Sequence, residues 1–278
     1  MKKIYTFRQP DNWHAHLREG ELLALIVSQF NLYGRVLCMG NLKKLIETAD
    51  EAFSYRQEII NQGALFDPVM CIMLTRNTTP KIIYEAAARG IKFVKFIPGG
   101  TSYGGSDGLA LTDAEPLIEI FRAITETGMH LLIHAELKYS EEGHEIHLLE
   151  REEEAIGMIS AYHSSFPEMK ITIEHVSTAV MIEFIKSKNS PNLRATLTPQ
   201  HALLTYSDVF DNRDKLIHPL NSCLPVAKSE SDRLAVEQAM VSGDKRFFYG
   251  TDAAAHWLWR KLDANPPPGV FFGECEYL

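Results

Sequence analysis

The chain has 278 residues, of which 45% are hydrophobic and 23% charged, and a formal net charge of −8. That composition describes a globular protein with ample core material, long enough for one α/β barrel of roughly 250 residues. The negative balance excludes a general nucleic-acid or acidic-membrane binder but not a local basic pocket for an anion, and no apolar run approaches the roughly 18 residues of a membrane span.

Short β-rich runs alternate with amphipathic stretches from end to end. Strands are expected over residues 4–16, 35–41, 68–74, 93–98, 131–136, 170–176, 194–201 and 246–252. Helices are expected over residues 49–62, 80–89, 113–127, 151–164 and 229–242, with another opening at Gly20-Glu21-Leu22. Thr78-Thr79-Pro80 and Ser229 resemble helix starts, and Gly90, Gly128 and Gly243 stand where helices should stop. Eight strands joined by helical crossovers are what a (β/α)8 TIM barrel requires, here as one domain over residues 1–278. A doubly wound open sheet is the runner-up, but no Gly-rich turn follows the first strand. Residues 99–108, Gly-Gly-Thr-Ser-Tyr-Gly-Gly-Ser-Asp-Gly, read as a flexible loop after the fourth strand.

Cys38, Cys71, Cys223 and Cys275 are widely spaced and form no C-x-x-C, so buried free thiols in a reducing cytoplasm are expected rather than disulfides or a zinc knuckle. Met1-Lys2-Lys3 leads at once into mixed polar sequence, which reads as lacking a signal peptide.

The chemistry concentrates at strand ends. In Asp11-Asn12-Trp13-His14-Ala15-His16-Leu17-Arg18 the two histidines are separated by one residue. On a helix they would diverge by about 200°. On a strand they point the same way, roughly 7 Å apart, which makes half of a metal site. In a barrel, catalytic groups sit at the C-terminal ends of the strands. Those ends carry His14 and His16 on strand one, Asn41 on strand two, Lys95 on strand four, His134 on strand five, His175 on strand six and Asp252 on strand eight. Taken singly, His134 and His175 could be satisfied core histidines, Asp252 a helix N-cap and Lys95 a buried ion-pair partner. Their joint occurrence argues for one site. Lys92, on the opposite face by parity, reads as solvated. His144, His147 and His163 read as lying in polar helical sequence, His130 as starting strand five at its far end, and His201 and His218 as near the mouth or in the loop after strand seven.

A lysine among four histidines needs a reason, because its ammonium would repel a cation. Desolvated, it loses its proton more readily, and the neutral amine can add CO2 to become an anionic carbamate able to bridge two divalent ions. Two ions about 3.5–4 Å apart can share a hydroxide and polarise a carbonyl, with Asp252 carrying protons between hydroxide and leaving nitrogen.

These residues resemble the binuclear metal amidohydrolase superfamily and, within it, the dihydroorotase family of the short, stand-alone bacterial type. The resemblance rests on the segment 11–18, Met39-Gly40-Asn41-Leu42, Val94-Lys95-Phe96-Ile97-Pro98, Ile133-His134-Ala135-Glu136, Ile173-Glu174-His175-Val176-Ser177-Thr178, Leu197-Thr198-Pro199-Gln200-His201, Cys223-Leu224-Pro225 and Gly250-Thr251-Asp252-Ala253-Ala254-Ala255-His256. It implies two Zn2+, one on His14, His16 and Asp252 and one on His134 and His175, bridged by carboxylated Lys95. It further implies that Arg18, Asn41 and His256 hold a substrate carboxylate, that backbone near Leu224 reads the ring amide, and that Pro268 lies at a further backbone contact. The implied reaction is the reversible cyclisation of N-carbamoyl-L-aspartate to L-dihydroorotate in pyrimidine synthesis, with a homodimer as an open option and neither nucleic acid nor membrane as a partner.

Three departures from the family stand out. Gly40 replaces a usual proline, and Ser102-Tyr103, beside Thr101, replaces adjacent loop threonines. The chain also runs only a short way beyond Asp252, through Pro266-Pro267-Pro268-Gly269, which cannot be helical throughout. The expectation is therefore a barrel lacking the family's C-terminal helices, with apolar surface exposed and marginal stability. Two rival readings remain. A cyclic amidohydrolase of the dihydropyrimidinase, hydantoinase or allantoinase type would share the metals but not need Arg18 and Asn41. A non-catalytic scaffold would ordinarily have lost ligands.

Overall fold

β-branched and apolar residues dominate the short runs that become strands, and threonine or serine caps precede half of the ten helices among the described residues. The computed structural model describes residues 6, 8–102 and 109–271. Among these, the strands are β1 (Asp11–His16), β2 (Arg35–Cys38), β3 (Asp67–Leu74), β4 (Phe93–Phe96), β5 (His130–Ile133), β6 (Lys170–Ile173), β7 (Leu193–Leu197), β8 (Phe247–Tyr249) and β9 (Ala253–Ala254). All pair in parallel, in the order β8-β7-β6-β5-β4-β3-β2-β1-β9.

The two ends of that order are the two halves of one strand. β8 pairs with β7 and β9 pairs with β1, and only Gly250-Thr251-Asp252 separates them. Gly250 N–H donates to Leu197 O at 3.1 Å and Asp252 N–H to His14 O at 2.9 Å, so the bridging tripeptide bonds first to one neighbour and then to the other. The sheet closes there into the expected (β/α)8 TIM barrel.

Helices occupy the crossovers: α1 (Gly20–Ile26), α2 (Ala49–Asn61), α3 (Pro80–Ala88), α4 (Ala114–Thr127), α5 (Arg151–Glu154), α6 (Ile156–Ser165), α7 (Ala179–Lys188), α8 (Pro199–Leu203), α9 (Glu230–Val241) and α10 (Leu258–Lys261). Thr48 with Glu51, and Ser229 with Asp232, form capping boxes that open α2 and α9. Thr79, Thr178 and Thr198 cap α3, α7 and α8 by accepting a backbone N–H of the first turn. Alternate strand residues such as Val94, Phe96, Leu131, Ile133, Ile171 and Ile173 join the large core shared with the helices. The opposite parity fills the barrel with a second cluster, Leu37, Met39, Cys71 and Leu132 packed against Trp13, Val69 and Phe93. Lys95 has the parity of Phe93 and so faces inward.

Several expected boundaries move. β1 starts at Asp11, not residue 4; Arg8–Pro10 precede it without strand pairing, and residues 1–5 and 7 lie outside the described residues. The strand expected over 194–201 stops at Leu197, because Thr198 caps and Pro199 opens α8; His201 is therefore on a helix. The helix expected over 151–164 is broken at Ala155 into α5 and α6, and the buried side chains of Arg151 and Glu152 in α5 are committed to neighbouring loops. His144 and His147 lie in the irregular connection between β5 and α5, not on a helix, whereas His163 is on a helix as expected, with its side chain buried on α6. Cys38, Cys71 and Cys223 are buried free thiols, as expected; Cys275 lies outside the described residues. No helix among the described residues is long and apolar enough to cross a membrane.

Candidate metal centre and substrate pocket

His14 and His16 lie on β1, but most of the other strands end before the site residue is reached. Lys95 lies within β4, but His134 is the first residue after β5, His175 the second after β6, and Asn41 and Asp252 the third after β2 and β8. Leaving the ladder frees the backbone to turn, and it turns sharply at the site: Arg18 (φ 62°), His175 (φ 44°) and Asp252 (φ 51°) adopt left-handed conformations that side-chain-bearing residues rarely take. The surroundings hold them there. Asn12 Nδ2 donates to Thr251 Oγ1 at 2.9 Å, and Thr251 N–H donates back to Asn12 Oδ1 at 2.9 Å. That reciprocal pair fixes the turn that carries Asp252 against β1. His175 N–H donates to Thr196 Oγ1 at 2.7 Å, which pins the β6 end to β7.

His14 Nε2 lies 3.2 Å and His16 Nε2 3.0 Å from Asp252 Oδ1, and the three ligand atoms fall within 4.8 Å of one another. Beside them His134 Nδ1 faces His175 Nε2 at 3.0 Å. The His14 and His175 rings join the pairs, with centroids 5.3 Å apart. Burial pulls the His16 pKa down to about 4 against the opposing pull of Asp252, and burial with His134 and Lys95 nearby drives His175 well below its ordinary value. Both imidazoles are thus neutral, the form that binds metal. Burial pushes the Asp252 carboxyl up, but His14 and His16 outweigh it and hold it far below the usual carboxylate range.

The buried polar atoms test whether the donor set fits a metal. His14 Nδ1 is engaged by Glu174 Oε2, which leaves Nε2 as its ligating nitrogen. His134 Nε2 lies 2.7 Å from Glu136 Oε2, which makes it the protonated nitrogen and leaves a lone pair on Nδ1. A hydrogen bond to His175 Nε2 could use that lone pair only by placing the His175 proton on Nε2, whereas a cation accepts lone pairs from both rings. His175 Nδ1 and Lys95 Nζ are buried with no hydrogen-bond partner in the structure. Burial lowers the Lys95 pKa, although Glu174 and Asp252 oppose it. Four neutral or carboxylate-oriented imidazoles, one carboxylate and one buried amine fit divalent metal chemistry.

Glu136, Glu174 and Thr196 are functional side chains that the strand-end reading missed. Thr196 Oγ1 donates to Glu174 Oε2 at 3.1 Å, so one hydroxyl orients both His175 and the carboxylate behind His14. A signal was present: Glu174 and Glu136 are charged residues set directly beside apolar strands and next to the histidines, where an unpaired charge would not be buried.

The predicted residues come together. All eleven (the six ligands with Arg18, Asn41, Leu224, His256 and Pro268) line one cavity of about 290 Å³ at the C-terminal mouth. Arg18 lies beyond the end of β1 and does not extend it. β1 ends at His16 and shifts register between Asn12 and Ala15, and the left-handed Arg18 backbone aims the side chain. Arg18 Nε donates to Ala255 O at 2.8 Å and its Nη2 lies 2.9 Å from His256 Nε2. That nitrogen also lies 3.0 Å from Pro268 O. The first contact needs a lone pair and the second a proton, so the tautomer of His256 decides between them. Burial and Arg18 together lower the His256 pKa to about 3, so the ring is neutral. Asp252 caps no helix, since β9 follows it. Gly40 packs tightly, and a Cβ there would sit 3.1 Å from Ile46 Cβ. Thr101 and Ser102 lie near the mouth, Thr101 Oγ1 donating to Pro98 O at 2.6 Å; Tyr103 lies outside the described residues.

No family model matches the chain. A dihydroorotase of Marinobacter nauticus is 34% identical over 260 residues, covering 92% of this chain and 73% of that relative. A dihydroorotase of Vibrio parahaemolyticus is 36% identical over 256 residues, covering 90% of the chain and 72% of the relative. Among solved structures, dihydroorotase from Saccharomyces cerevisiae in complex with 5-fluoroorotic acid superposes with a TM-score of 0.88 at 30% identity, covering 95% of this chain and 75% of that one.

Proposed function

The chain belongs to the dihydroorotase family, and from that premise we propose how its barrel mouth works. The protein is a cyclic amide hydrolase that interconverts L-dihydroorotate and N-carbamoyl-L-aspartate in pyrimidine biosynthesis. His14, His16 and Asp252 would hold one zinc ion, and His134 and His175 a second, with Lys95 as a carbamate between them. Bound there, the ions would supply a Lewis acid for the scissile amide carbonyl and lower the pKa of water.

The chain's own groups do the rest. Burial lowers the Lys95 pKa; in its neutral form Nζ would bond to the carbon of CO2 and release a proton to solvent, giving an anion where an ammonium would repel cations. Glu174 and Glu136 hold the His14 and His134 rings in one tautomer each. Asp252 starts as a carboxylate. In ring opening it takes a proton from the attacking water and passes it to the ring nitrogen as the amide C–N bond breaks; in ring closure the proton leaves the carbamoyl nitrogen by the same path. Arg18, Asn41 and His256 clamp the substrate carboxylate, and the backbone at Leu224 and Pro268 meets the ring edge.

The observation that carries this reading is the Arg18–His256 pair at the rim of the cavity that also holds the histidine cluster. A neutral dihydropyrimidine or hydantoin ring offers that cation carbonyl acceptors but no carboxylate for a charged, bidentate pair. The test measures turnover of dihydroorotate and dihydrouracil by wild type and Arg18→Ala, each with and without chelator. Chelator should abolish turnover, and Arg18→Ala should lose about 2–5 kcal/mol of transition-state binding for dihydroorotate alone, with metal content unchanged. Preference of the wild type for dihydrouracil would overturn the carboxylate clamp.

A further inference from the structure

Lys261, the last residue of α10, is 4% exposed, and its ammonium is spent entirely on the main chain. Nζ donates to Ser222 O at 3.2 Å, Pro267 O at 3.0 Å and Gly269 O at 2.9 Å. An ammonium has three protons, and here each has a carbonyl. Two chain segments far apart in sequence supply those carbonyls, and they are also joined directly, Gly269 N–H donating to Ser222 O at 2.8 Å. One segment leads two residues on to Leu224. The other flanks Pro268, whose carbonyl lies against His256. Both Leu224 and Pro268 line the cavity, whereas Lys261 does not.

Beside the Lys261 ammonium, the segments are tied by the Gly269–Ser222 bond and by Ala254 N–H donating to Val270 O at 2.8 Å, just past Gly269. Neither Ser222–Leu224 nor Pro267–Gly269 belongs to a helix or strand, and Gly269 (φ 139°) is pressed so closely on the barrel that a Cβ would lie 2.8 Å from Ala254 Cβ. A backbone edge that reads a substrate must be held within about 0.5 Å, and irregular loops lack the ladder that would do it. A buried point charge shared by three carbonyls substitutes for that ladder.

We propose that Lys261 is a positioning residue for substrate selection: by gathering Ser222, Pro267 and Gly269 around one ammonium, it fixes the separation between the Leu224 and Pro268 edges of the substrate pocket. This rests on the reading of the pocket as the dihydroorotate site. Lys261 touches neither the reacting atoms nor the histidine cluster. Its loss should therefore weaken ring binding while sparing metal content and the chemical step.

The test compares wild type, Lys261→Met, Lys261→Gln and Lys261→Arg for KM and kcat on dihydroorotate, affinity for orotate as an unreactive ring probe, and metal content. Lys261→Met should raise KM and weaken orotate binding by about tenfold or more with kcat within about threefold, since uniform binding is what is lost. Lys261→Arg, which keeps the charge and several donors, should recover most of the affinity, and Lys261→Gln should fall between. If Lys261→Met fails to fold, the ordering of the glutamine and arginine variants decides alone. An unchanged KM and orotate affinity, or a fall in kcat at constant KM, would overturn the proposal and mark Lys261 as an anchor only. A wild type that turns over no dihydroorotate removes the pocket reading and this inference with it; an active wild type beside unaltered variants removes this inference alone.

Discussion

Gly250 lies directly against His14: a Cβ at Gly250 would stand 2.9 Å from His14 Cβ, 3.1 Å from His14 N and 3.2 Å from Trp13 C. None of these atoms is the end of a flexible side chain, so any larger residue at 250 must displace β1 at the point where it presents His14. Gly250→Ala is therefore expected to lower metal content and to reduce activity by about 10²-fold, the effect of roughly 1 Å of misplacement. Metal analysis beside steady-state kinetics checks it, with circular dichroism showing that the barrel still forms.

The carboxylates behind the histidines make a second prediction. Glu174 engages His14 Nδ1 and Glu136 engages His134 Nε2, both fully buried. Replacing either by glutamine keeps the shape but removes the charge that fixes the ring's tautomer and basicity. Glu174→Gln and Glu136→Gln should each weaken metal retention by about 10–100-fold, read as metal released in a chelator titration. Retention equal to wild type would show that the carboxylates only fill space.

Lys95 gives a third. Its buried Nζ has no hydrogen-bond partner in the structure, and the amine sits with the histidines around one cavity. Lys95→Ala should lose activity and half or more of the bound metal, on the order of the loss from removing a ligand. A short-chain carboxylic acid added to the variant should restore part of both by occupying the place of the carbamate. No recovery at any concentration, with intact mass of the native protein matching unmodified lysine, would refute the carbamate.

A fourth concerns the opposite end of the barrel. Asp11 accepts from Arg35 Nε at 3.1 Å and Nη2 at 2.5 Å and from Arg8 Nη2 at 3.0 Å, and Arg35 also lies over the Trp13 ring at 4.9 Å. Burial pushes the Asp11 carboxyl up, but the Arg35 fork and Arg8 outweigh it and hold it below 3.8. A carboxyl with a lowered folded-state pKa stabilises the fold above its unfolded value and loses that contribution as pH falls through the folded one. Asp11→Asn should therefore unfold more easily than wild type by about 1–3 kcal/mol near neutrality. The gap should close only below pH 3.8, the ordinary value from which the pKa is lowered. Urea unfolding at pH 7 and pH 3 measures both ends of that window.

Read alone, the residues determined the barrel, its strand count and which polar side chains gather at one mouth. That is because two local periodicities, near 3.6 for helices and 2 for strands, separate the elements, and because barrel topology places polar residues just past apolar strands at one mouth. His14, His16, Lys95, His134, His175 and Asp252 were all legible on that ground. Tertiary structure alone decided how they are held. Glu174 meets His14 across 160 positions of chain, Asn12 meets Thr251 across 239, and Lys261 meets Ser222 across 39. No local period encodes such pairings. The left-handed backbone at Arg18 and the register shift in β1 were likewise set by what packs beside them. Propensity biases a segment, but the closing of the ring fixes where each strand must stop so that its last side chain turns inward.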